Sequence, residues 1–435
     1  MTNSSKSIFA SLLSNRQGVS LFLRLGFLFL PIGLIAGPAI PDFIIILSSI
    51  IFIFKLNKKY LTEYKLIISF FLIFYTFNIF SSLLSDNVLF SLKSSIFYIR
   101  FFIYVFVISY IVEKTPGIIK QLLYVLSIIL TLLLIDTLIQ FIIGKNIFGY
   151  PAADNGHRLA SFFKDEYILG SYTLKIFPLA LFCLQFLNLN QRLKNYSSVL
   201  IFGISGIIII LSGDRAPLYL FFIFCLLFLI LTDNKKFYIF FGSIVCTILI
   251  FFILTNQPLK KRIIDQTIIE LGLTEKKAGY NFEKNGIFIF SPHHEKLIST
   301  GFNMWKKNKY FGVGPNNFRN NCEKITYKDG GEIFRCNNHP HNLYVQLLSE
   351  TGIIPFVILV LLFFVIVSYY VKYFILFNIN KKSSIDYSEF ILIILAIINL
   401  WPLTTNGNFF NNYLNLQMIL AFGFLLSQKK NFKYI

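Results

Sequence analysis

The sequence predicts an all-α polytopic membrane protein, and three observations lead to this fold class. Of the 435 residues, 55% are hydrophobic and 14% are charged, whereas soluble domains carry about 25% charged residues. The apolar residues form long, nearly continuous Ile, Leu and Phe runs, which favour membrane-spanning helices over amphipathic ones. About twelve runs have the roughly 20 residues that a hydrocarbon core of about 30 Å requires. We place these spans near residues 20–38, 40–55, 66–84, 95–112, 118–143, 168–188, 196–212, 216–232, 237–255, 353–371, 388–403 and 409–427.

The basic residues between the spans predict the orientation in the membrane. With the N-terminus in the cytoplasm, eighteen Lys and Arg residues fall in cytoplasmic segments and five in the short loops on the other side. Cytoplasmic loops favour Lys and Arg, so both termini are expected in the cytoplasm. The chain then divides into about nine helices over residues 1–255, one long external loop over 256–352 and about three helices over 353–435. A cleavable signal peptide is the alternative for the first span, but the next span follows at once, which favours an uncleaved helix.

The net charge of +19 is spread between the spans, which argues against nucleic acid as a partner and for a lipid bilayer. Charges inside spans are costly and commonly mark a site or an ion pair. Arg100, Asp136 and Lys175 lie roughly seven to nine residues from the external ends of their spans, at a depth of about 10–13 Å. In one interpretation Arg100 or Lys175 forms a salt bridge with Asp136. In the other, the basic residues line a cationic pocket for an anionic headgroup. Arg158 and Arg215 in external loops would extend this positive field, and diphosphate suits forked guanidinium groups.

Two segments of the long loop predict amphipathic helices. Residues Glu295–Lys306 place Leu297, Gly301 and Trp305 at helical spacing with lysines opposite, which predicts a helix lying on the bilayer. Residues 343–348 contain one apolar stripe, which predicts a second short helix at the interface.

Two turns carry further signals. Arg215 follows Asp214 in a tight turn before Pro217, so it either pairs with Asp214 or is held rigidly at the membrane surface ahead of the next helix. The Gly-x-Gly at residues 312–314 is by itself a weak indication of phosphate binding.

Cys322 and Cys336 flank a short stretch of the external loop. In an oxidising compartment this arrangement favours a disulfide, which would contribute about 3 kcal/mol in the chain-entropy model. A metal site with His339 and His341 is the alternative, but the spacing matches no standard zinc pattern. We therefore expect a disulfide and no metal.

His339 and His341 stand immediately before the second predicted loop helix. They either cap that helix or act in proton transfer. A neutral imidazole near pH 7 can accept the proton of an attacking hydroxyl group, and three of the five histidines lie in sequence near arginines. We favour a catalytic role.

These motifs, in this order, resemble the superfamily of O-antigen ligases and O-antigen polymerases, which are bacterial inner-membrane glycosyltransferases. The ligase pattern is His, Asn or a similar residue, nine residues, Gly, two residues, and Gly or Thr. Here it reads His341, Asn342, nine residues and Gly352, with Pro355 departing at the last position. The turn with Arg215 also resembles this superfamily. So do the segments 158–170 and 312–318, and the resemblance extends over about residues 95–360.

The resemblance implies transfer of a glycan from undecaprenyl diphosphate on the periplasmic face of the inner membrane, with inversion and without a metal or other cofactor. By the same resemblance His341 is the general base, and Arg215 and Arg319 bind the diphosphate. The remaining substrate-binding candidates are Arg100, Arg158, Lys175, His339 and Asn342.

The acceptor separates two versions of this function. A ligase uses a lipid A core and a polymerase uses a second lipid-linked glycan. The ligase-like spacing and the short external loop between spans three and four favour a ligase. A flippase or other transporter is a third hypothesis, in which Arg100, Asp136 and Lys175 would line a path, but a transporter would not require a histidine-bearing external loop.

Overall fold

The computed structural model describes residues 19–56, 58–153, 158–273, 289–324, 336–379 and 387–428. Within these ranges the regular structure is helical apart from two isolated bridges, Lys145 to Pro151 and Ala153 to Arg158. The predicted all-α class is confirmed. The helices are α1 Leu21–Ala36, α2 Ala39–Ile53, α3 Lys58–Glu63, α4 Lys65–Leu83, α5 Val88–Ile96, α6 Ile99–Lys114, α7 Ile118–Ile143, α8 Leu169–Leu184, α9 Gln191–Leu211, α10 Arg215–Leu231, α11 Lys235–Thr255, α12 Gln257–Lys260, α13 Gln266–Glu270, α14 Pro292–Lys307, α15 Phe318–Asn321, α16 Leu343–Thr351, α17 Ile353–Ile379, α18 Tyr387–Asn399 and α19 Asn412–Ser427, with a 3-10 turn at Ser161–Phe163 and a π-helical turn at Lys261–Asp265.

Six helical stretches of the described chain are long and apolar enough to cross a membrane: α4, α5 together with α6, α7, α9, α11 and α17. Six shorter apolar helices, α1, α2, α8, α10, α18 and α19, have 10–17 residues and lie where the remaining spans were predicted. A multi-pass helical membrane protein is therefore confirmed, and the number of twelve crossings stays a prediction.

The bundle places its apolar helices in two different environments. Every residue of α8 is buried except Ser171, which is partly buried, whereas α11 has a single buried residue, Ile253. Phe240 and Phe251 of α11 are 61% and 68% exposed. A helix that is hydrophobic all round is stable in a protein core or against lipid, so α8 forms the centre of the bundle and α11 a lipid-facing edge.

The two predicted loop helices form, but neither has the predicted surroundings. Helix α16 is buried along its whole length, because α14, α4 and α17 pack around it. Gly301 of α14 is so close to α16 that a Cβ atom there would lie 2.6 Å from Cγ1 of Val345. The predictions that α16 is interfacial and that α14 rests its apolar face on the bilayer are wrong, because the two helices bury these faces against each other.

A glycine ends α16 where the chain approaches itself most closely. Gly352 has φ +82, a left-handed conformation that favours glycine. A Cβ atom there would overlap the carbonyl oxygen of Tyr310. In the same contact, the N–H of Gly314 donates to the carbonyl oxygen of Glu350 at 2.8 Å. The segment before α15 is thus fixed against the C-terminal end of α16.

Candidate active site

Three histidines from two separate segments lie together. His339 and His341 precede α16, and His294 lies in the first turn of α14. The ring centres of His294 and His341 are 5.1 Å apart, and those of His339 and His341 are 4.1 Å apart. Sequence reasoning selected His339 and His341 but missed His294. The signal was the His293-His294 pair beside the predicted amphipathic helix.

Asn342 caps α16, so the histidines lie outside the helix. The Oδ1 of Asn342 accepts hydrogen bonds from the N–H groups of Tyr344 and Val345, both at 3.1 Å, and its Nδ2 donates to the carbonyl oxygen of Pro402 at 2.8 Å. An asparagine at this position satisfies the free N–H groups of the first turn. Both ends of the buried amide are therefore bonded within the protein, and contact of Asn342 with substrate stays a prediction.

The loop formed by residues 404–408 holds both candidate histidines. The N–H of Asn406 donates to the carbonyl oxygen of His341 at 2.8 Å, and Nε2 of His339 lies 3.2 Å from the carbonyl oxygen of Asn406. His341 has φ +57, which costs a non-glycine residue about 1 kcal/mol or more and persists only where the surroundings impose it. The backbone of His341 is therefore held by the 404–408 loop, and its Nε2 lies 3.0 Å from Nδ2 of Asn337.

All three imidazoles are neutral near pH 7. Burial lowers the pKa of His294 to about 4 and that of His339 to about 3, and it lowers the pKa of His341 as well. The neighbouring imidazoles lower these pKa values further. The positive charges of Arg215 and Arg319 also lower the pKa of His294 and of His339, respectively. Both predicted diphosphate ligands are therefore within electrostatic range of the histidine cluster.

Arg215 begins α10 and points toward the segment that follows α11. Its Nη2 donates to Oε2 of Glu270 at 2.8 Å, and the two side chains are 26% and 28% exposed. The alternative in which Arg215 pairs with Asp214 is wrong, because Asp214 turns to a different arginine. Arg215 is thus held near the surface, where a second anion can reach it.

Arg158 is the partner of Asp214. Its Nη2 forms an ion pair with Oδ1 of Asp214, and its guanidinium carbon lies 3.9 Å from the ring centre of Tyr167. Burial raises the pKa of Asp214, and the charge of Arg158 opposes that rise. Arg158 therefore compensates a buried carboxylate beside Arg215, which limits its capacity as a direct ligand.

Arg319 lies in α15 within the segment 312–321, which we call the Arg319 loop. Its guanidinium carbon is 5.8 Å from the ring centre of Phe90, and Nη2 is 3.5 Å from Oδ1 of Asn316. No carboxylate of the described residues forms an ion pair with it. Arg319 therefore offers more hydrogen-bonding capacity to an incoming anion than Arg215 does.

Cys322 and Cys336 form a disulfide with a Cα–Cα distance of 5.4 Å. Cys322 directly follows the Arg319 loop, and Cys336 lies three residues before His339. The disulfide therefore joins the Arg319 loop to the histidine segment. Within the part of the chain that the structure describes, no group of three His, Cys, Asp or Glu side chains is arranged to hold a metal ion.

Glu350 is a buried residue of this region that sequence reasoning missed. Its Oε2 accepts from the N–H of Asn316 at 3.0 Å, and its Oε1 accepts from the N–H of Phe318 at 2.9 Å. The Gly-x-Gly segment therefore leads into a turn whose amides bind an internal carboxylate. The N–H groups of residues 312–314 themselves donate to the backbone carbonyl oxygens of Asn308, Ser349 and Glu350.

Arg100 and Lys175 have other partners than predicted. Arg100 donates to Oδ1 of Asp42 at 2.8 Å and to Oδ1 of Asn412 at 2.7 Å. Nζ of Lys175 lies 3.4 Å from the carbonyl oxygen of Ile398. The carboxylate of Asp136 accepts from Ser161 Oγ at 2.6 Å and from the N–H of Ile147 at 2.9 Å. A common pocket or salt bridge of Arg100, Lys175 and Asp136 is therefore wrong, because each side chain is bonded in a different place.

The fold and the site together define a multi-pass helical membrane protein whose loop region carries three neutral histidines and Arg319, within electrostatic range of Arg215 at the start of α10. Residues 200–360 match the protein family described as O-antigen ligase, which confirms the superfamily that the motifs resemble. The matched range contains Arg215, His294, Arg319 and His341. No curated protein matches the chain. The chain is thus a multi-pass helical membrane protein, and its residues 200–360 are similar to the O-antigen ligase family.

Proposed function

We propose that this protein is an O-antigen ligase, which transfers a glycan from undecaprenyl diphosphate to a hydroxyl group of a lipid A core on the periplasmic face of the inner membrane. The observation that carries the proposal is the meeting of His341 with His294 and His339 within electrostatic range of Arg215 and Arg319. The external loop that holds the site is the segment between α11 and α17. The proposal requires no metal or other cofactor.

The proposed reaction is one in-line displacement. The acceptor oxygen forms a bond to the anomeric carbon, and its proton passes to the neutral His341. The bond from that carbon to the diphosphate oxygen breaks, and undecaprenyl diphosphate leaves with the electron pair. Arg215 and Arg319 stabilise the charge that develops on the leaving group, and the anomeric configuration is inverted.

The hydrogen bonds and ion pairs of the other candidates support the following proposed roles. His339 lies in the cluster and is kept as a substrate contact. Arg158 is kept as the residue that neutralises Asp214 next to Arg215. Arg100, Lys175 and Asn342 are left out of the substrate contacts, because their polar atoms are bonded elsewhere.

The test uses purified protein in nanodiscs with undecaprenyl-diphosphate oligosaccharide, with and without a lipid A core. Transfer only in the presence of the core supports a ligase, whereas a ladder from the donor alone identifies a polymerase. In either case His341→Ala should lower kcat by roughly 100- to 10,000-fold, the usual contribution of a general base, while donor binding is retained.

The matched control is Lys306→Ala, since Lys306 is exposed at the far end of α14. This variant should keep wild-type kcat. Full activity of His341→Ala would contradict its role as base, and absence of any product from wild-type protein with an authentic donor would contradict the proposed function.

A further inference from the structure

Glu350 binds the Arg319 loop with both oxygens of its carboxylate. The two oxygens accept from two backbone N–H groups of one short turn, those of Asn316 and Phe318. Glu350 is 0% exposed. Hydrogen bonds to a carboxylate are about twice as strong as neutral ones, and an uncompensated buried carboxylate is costly. The turn and the carboxylate therefore require each other.

The same carboxylate is connected to the loop that holds the histidines. Nε2 of Gln346 lies 2.9 Å from Oε2 of Glu350 and 2.8 Å from Oδ1 of Asn408. Asn408 in turn donates from Nδ2 to Oδ1 of Asn316 at 2.6 Å. Two residues before Asn408, Asn406 bonds both candidate histidines. A closed network thus joins the Arg319 loop, α16 and the 404–408 loop.

The bundle also fixes this network from the other side. Ser81 of α4 donates to the carbonyl oxygen of Glu350 at 2.8 Å, and Ser91 of α5 donates to the carbonyl oxygen of Pro315 at 2.8 Å. Ser94 completes the contact at 2.9 Å from Nδ2 of Asn316. The bundle thus holds the start of the turn and the backbone of Glu350, and the carboxylate of Glu350 holds the N–H of Phe318, where α15 begins.

We infer that Glu350 is a positioning residue, which holds the Arg319 loop in register with the histidine segment so that Arg319 and His341 act on the same donor. Glu350 itself does not touch the substrate. The inference rests on the proposed function, because it acts through Arg319 and His341 in the roles given above.

The test compares Glu350→Gln, Glu350→Asp, Arg319→Ala and the double variant Arg319→Ala with Glu350→Gln in the donor and acceptor assay. A glutamine presents an N–H donor toward one of the two backbone N–H groups, so kcat should fall by roughly 10- to 100-fold, as expected for losing a hydrogen bond to a charged group. Glu350→Asp keeps the carboxylate and should recover part of this loss. In the Arg319→Ala background, Glu350→Gln should have little further effect on kcat.

The matched control is Glu389→Gln, because Glu389 is also buried, at 1% exposed. It lies at the start of α18, so this variant should keep wild-type kcat. Wild-type kcat in Glu350→Gln would overturn the inference. A loss that multiplies with that of Arg319→Ala would overturn it as well, because Glu350 would then act independently of Arg319. So would a Glu350→Gln protein that no longer folds in detergent, because that outcome assigns Glu350 to stability alone. Failure of wild-type protein to make product counts against the proposed function instead.

Discussion

Two arginines in the region of the site are paired with carboxylates of the protein itself. Arg215 is bonded to Glu270 and Arg158 to Asp214. A half-buried guanidinium without a partner is costly, so these carboxylates stabilise the site in the absence of a donor. Binding of a diphosphate at Arg215 would then exchange one anion for another. The exchange costs less free energy than removing water from an unpaired guanidinium. It favours an anion with more negative charge, such as a diphosphate, over a singly charged one.

Glu350 also predicts the pH dependence of the reaction. Burial raises the pKa of Glu350 to about 7, and its hydrogen bonds and the charge of Arg319 oppose that rise. The groups around the carboxyl are otherwise uncharged: Gln346 on α16 and the amides of the Arg319 loop. Because only the carboxylate accepts from all of these donors, kcat/KM should fall as the pH drops from 8 to 6, with a midpoint near 7. Burial lowers the pKa of His341 below its usual value.

The measurement is a pH profile of kcat/KM for wild-type protein and Glu350→Gln. The variant should have a lower and nearly flat profile between pH 6 and 8, since it has no carboxyl to protonate there. A wild-type profile that is level down to pH 6 would contradict the assignment.

At this scale the sequence predicts residue types better than partners. The motif around His341 and the turn with Arg215 identify the site from the sequence. In the fold, Arg215 lies within electrostatic range of the histidine cluster. The depth estimate placed Arg100 and Asp136 in one layer, but depth does not define which way each helix faces, and Arg100 turns to Asp42 instead. Glu350 had no sequence signal, because its role arises from a turn that packs onto it from 32 residues earlier.

Among the elements, α14 and α16 show what amphipathicity does not determine. Spacing of apolar residues predicts that a helix has an apolar face, but a bilayer and another helix satisfy that face equally well. Here Gly301 lies close to Val345, and all of α16 is buried. These contacts show that the apolar faces pack against another helix and not against the bilayer. The helices were predictable from the sequence, and their tertiary contacts were not.

The disulfide ties these elements together, so its removal should destabilise the loop region. Cys322 and Cys336 close a loop with a sequence separation of 14, which corresponds to about 3 kcal/mol in the chain-entropy model. We expect Cys322→Ser, Cys336→Ser and the double variant to lower Tm equally, because each removes the same bond. Thermal unfolding in detergent, with and without dithiothreitol, measures the effect.

Dithiothreitol should lower Tm of the wild-type protein and leave the double variant unchanged. Cys246→Ser is the matched control, because Cys246 is an exposed free cysteine on α11, and its Tm should equal that of wild type. Unequal Tm values for the two single variants would show that the thiols act separately and would contradict the prediction.

For the whole molecule, the neighbours of α10 indicate how far this helix of 17 residues extends across the bundle. It spans the same depth as the longer helices α9 and α11. Helices α9 and α11 each have 21 residues. The end of α9 and the start of α10 lie at the site, whereas α11 begins just after the end of α10. Helix α18 runs between the same two levels, because Tyr387 bonds the N–H of Asp233 at 2.8 Å and Trp401 bonds Tyr219 at 3.3 Å. Helices α10 and α18 therefore extend between the same two levels, and twelve crossings stays a prediction.

This arrangement, together with the distribution of Lys and Arg, predicts the side on which each turn lies. Lys93 on α5 is exposed, and its helix contacts the Arg319 loop through Ser91 and Ser94, so Lys93→Cys should lie outside. Lys236, exposed at the start of α11, lies at the opposite end, so Lys236→Cys should lie in the cytoplasm.

In a Cys246→Ala background, a membrane-impermeant maleimide should label Lys93→Cys in intact spheroplasts and Lys236→Cys only after lysis. Arg192→Cys, in the first turn of α9, should behave as Lys236→Cys does. Labelling of Lys236→Cys in intact spheroplasts would place the turn between α10 and α11 outside, and α10 would then not cross the membrane.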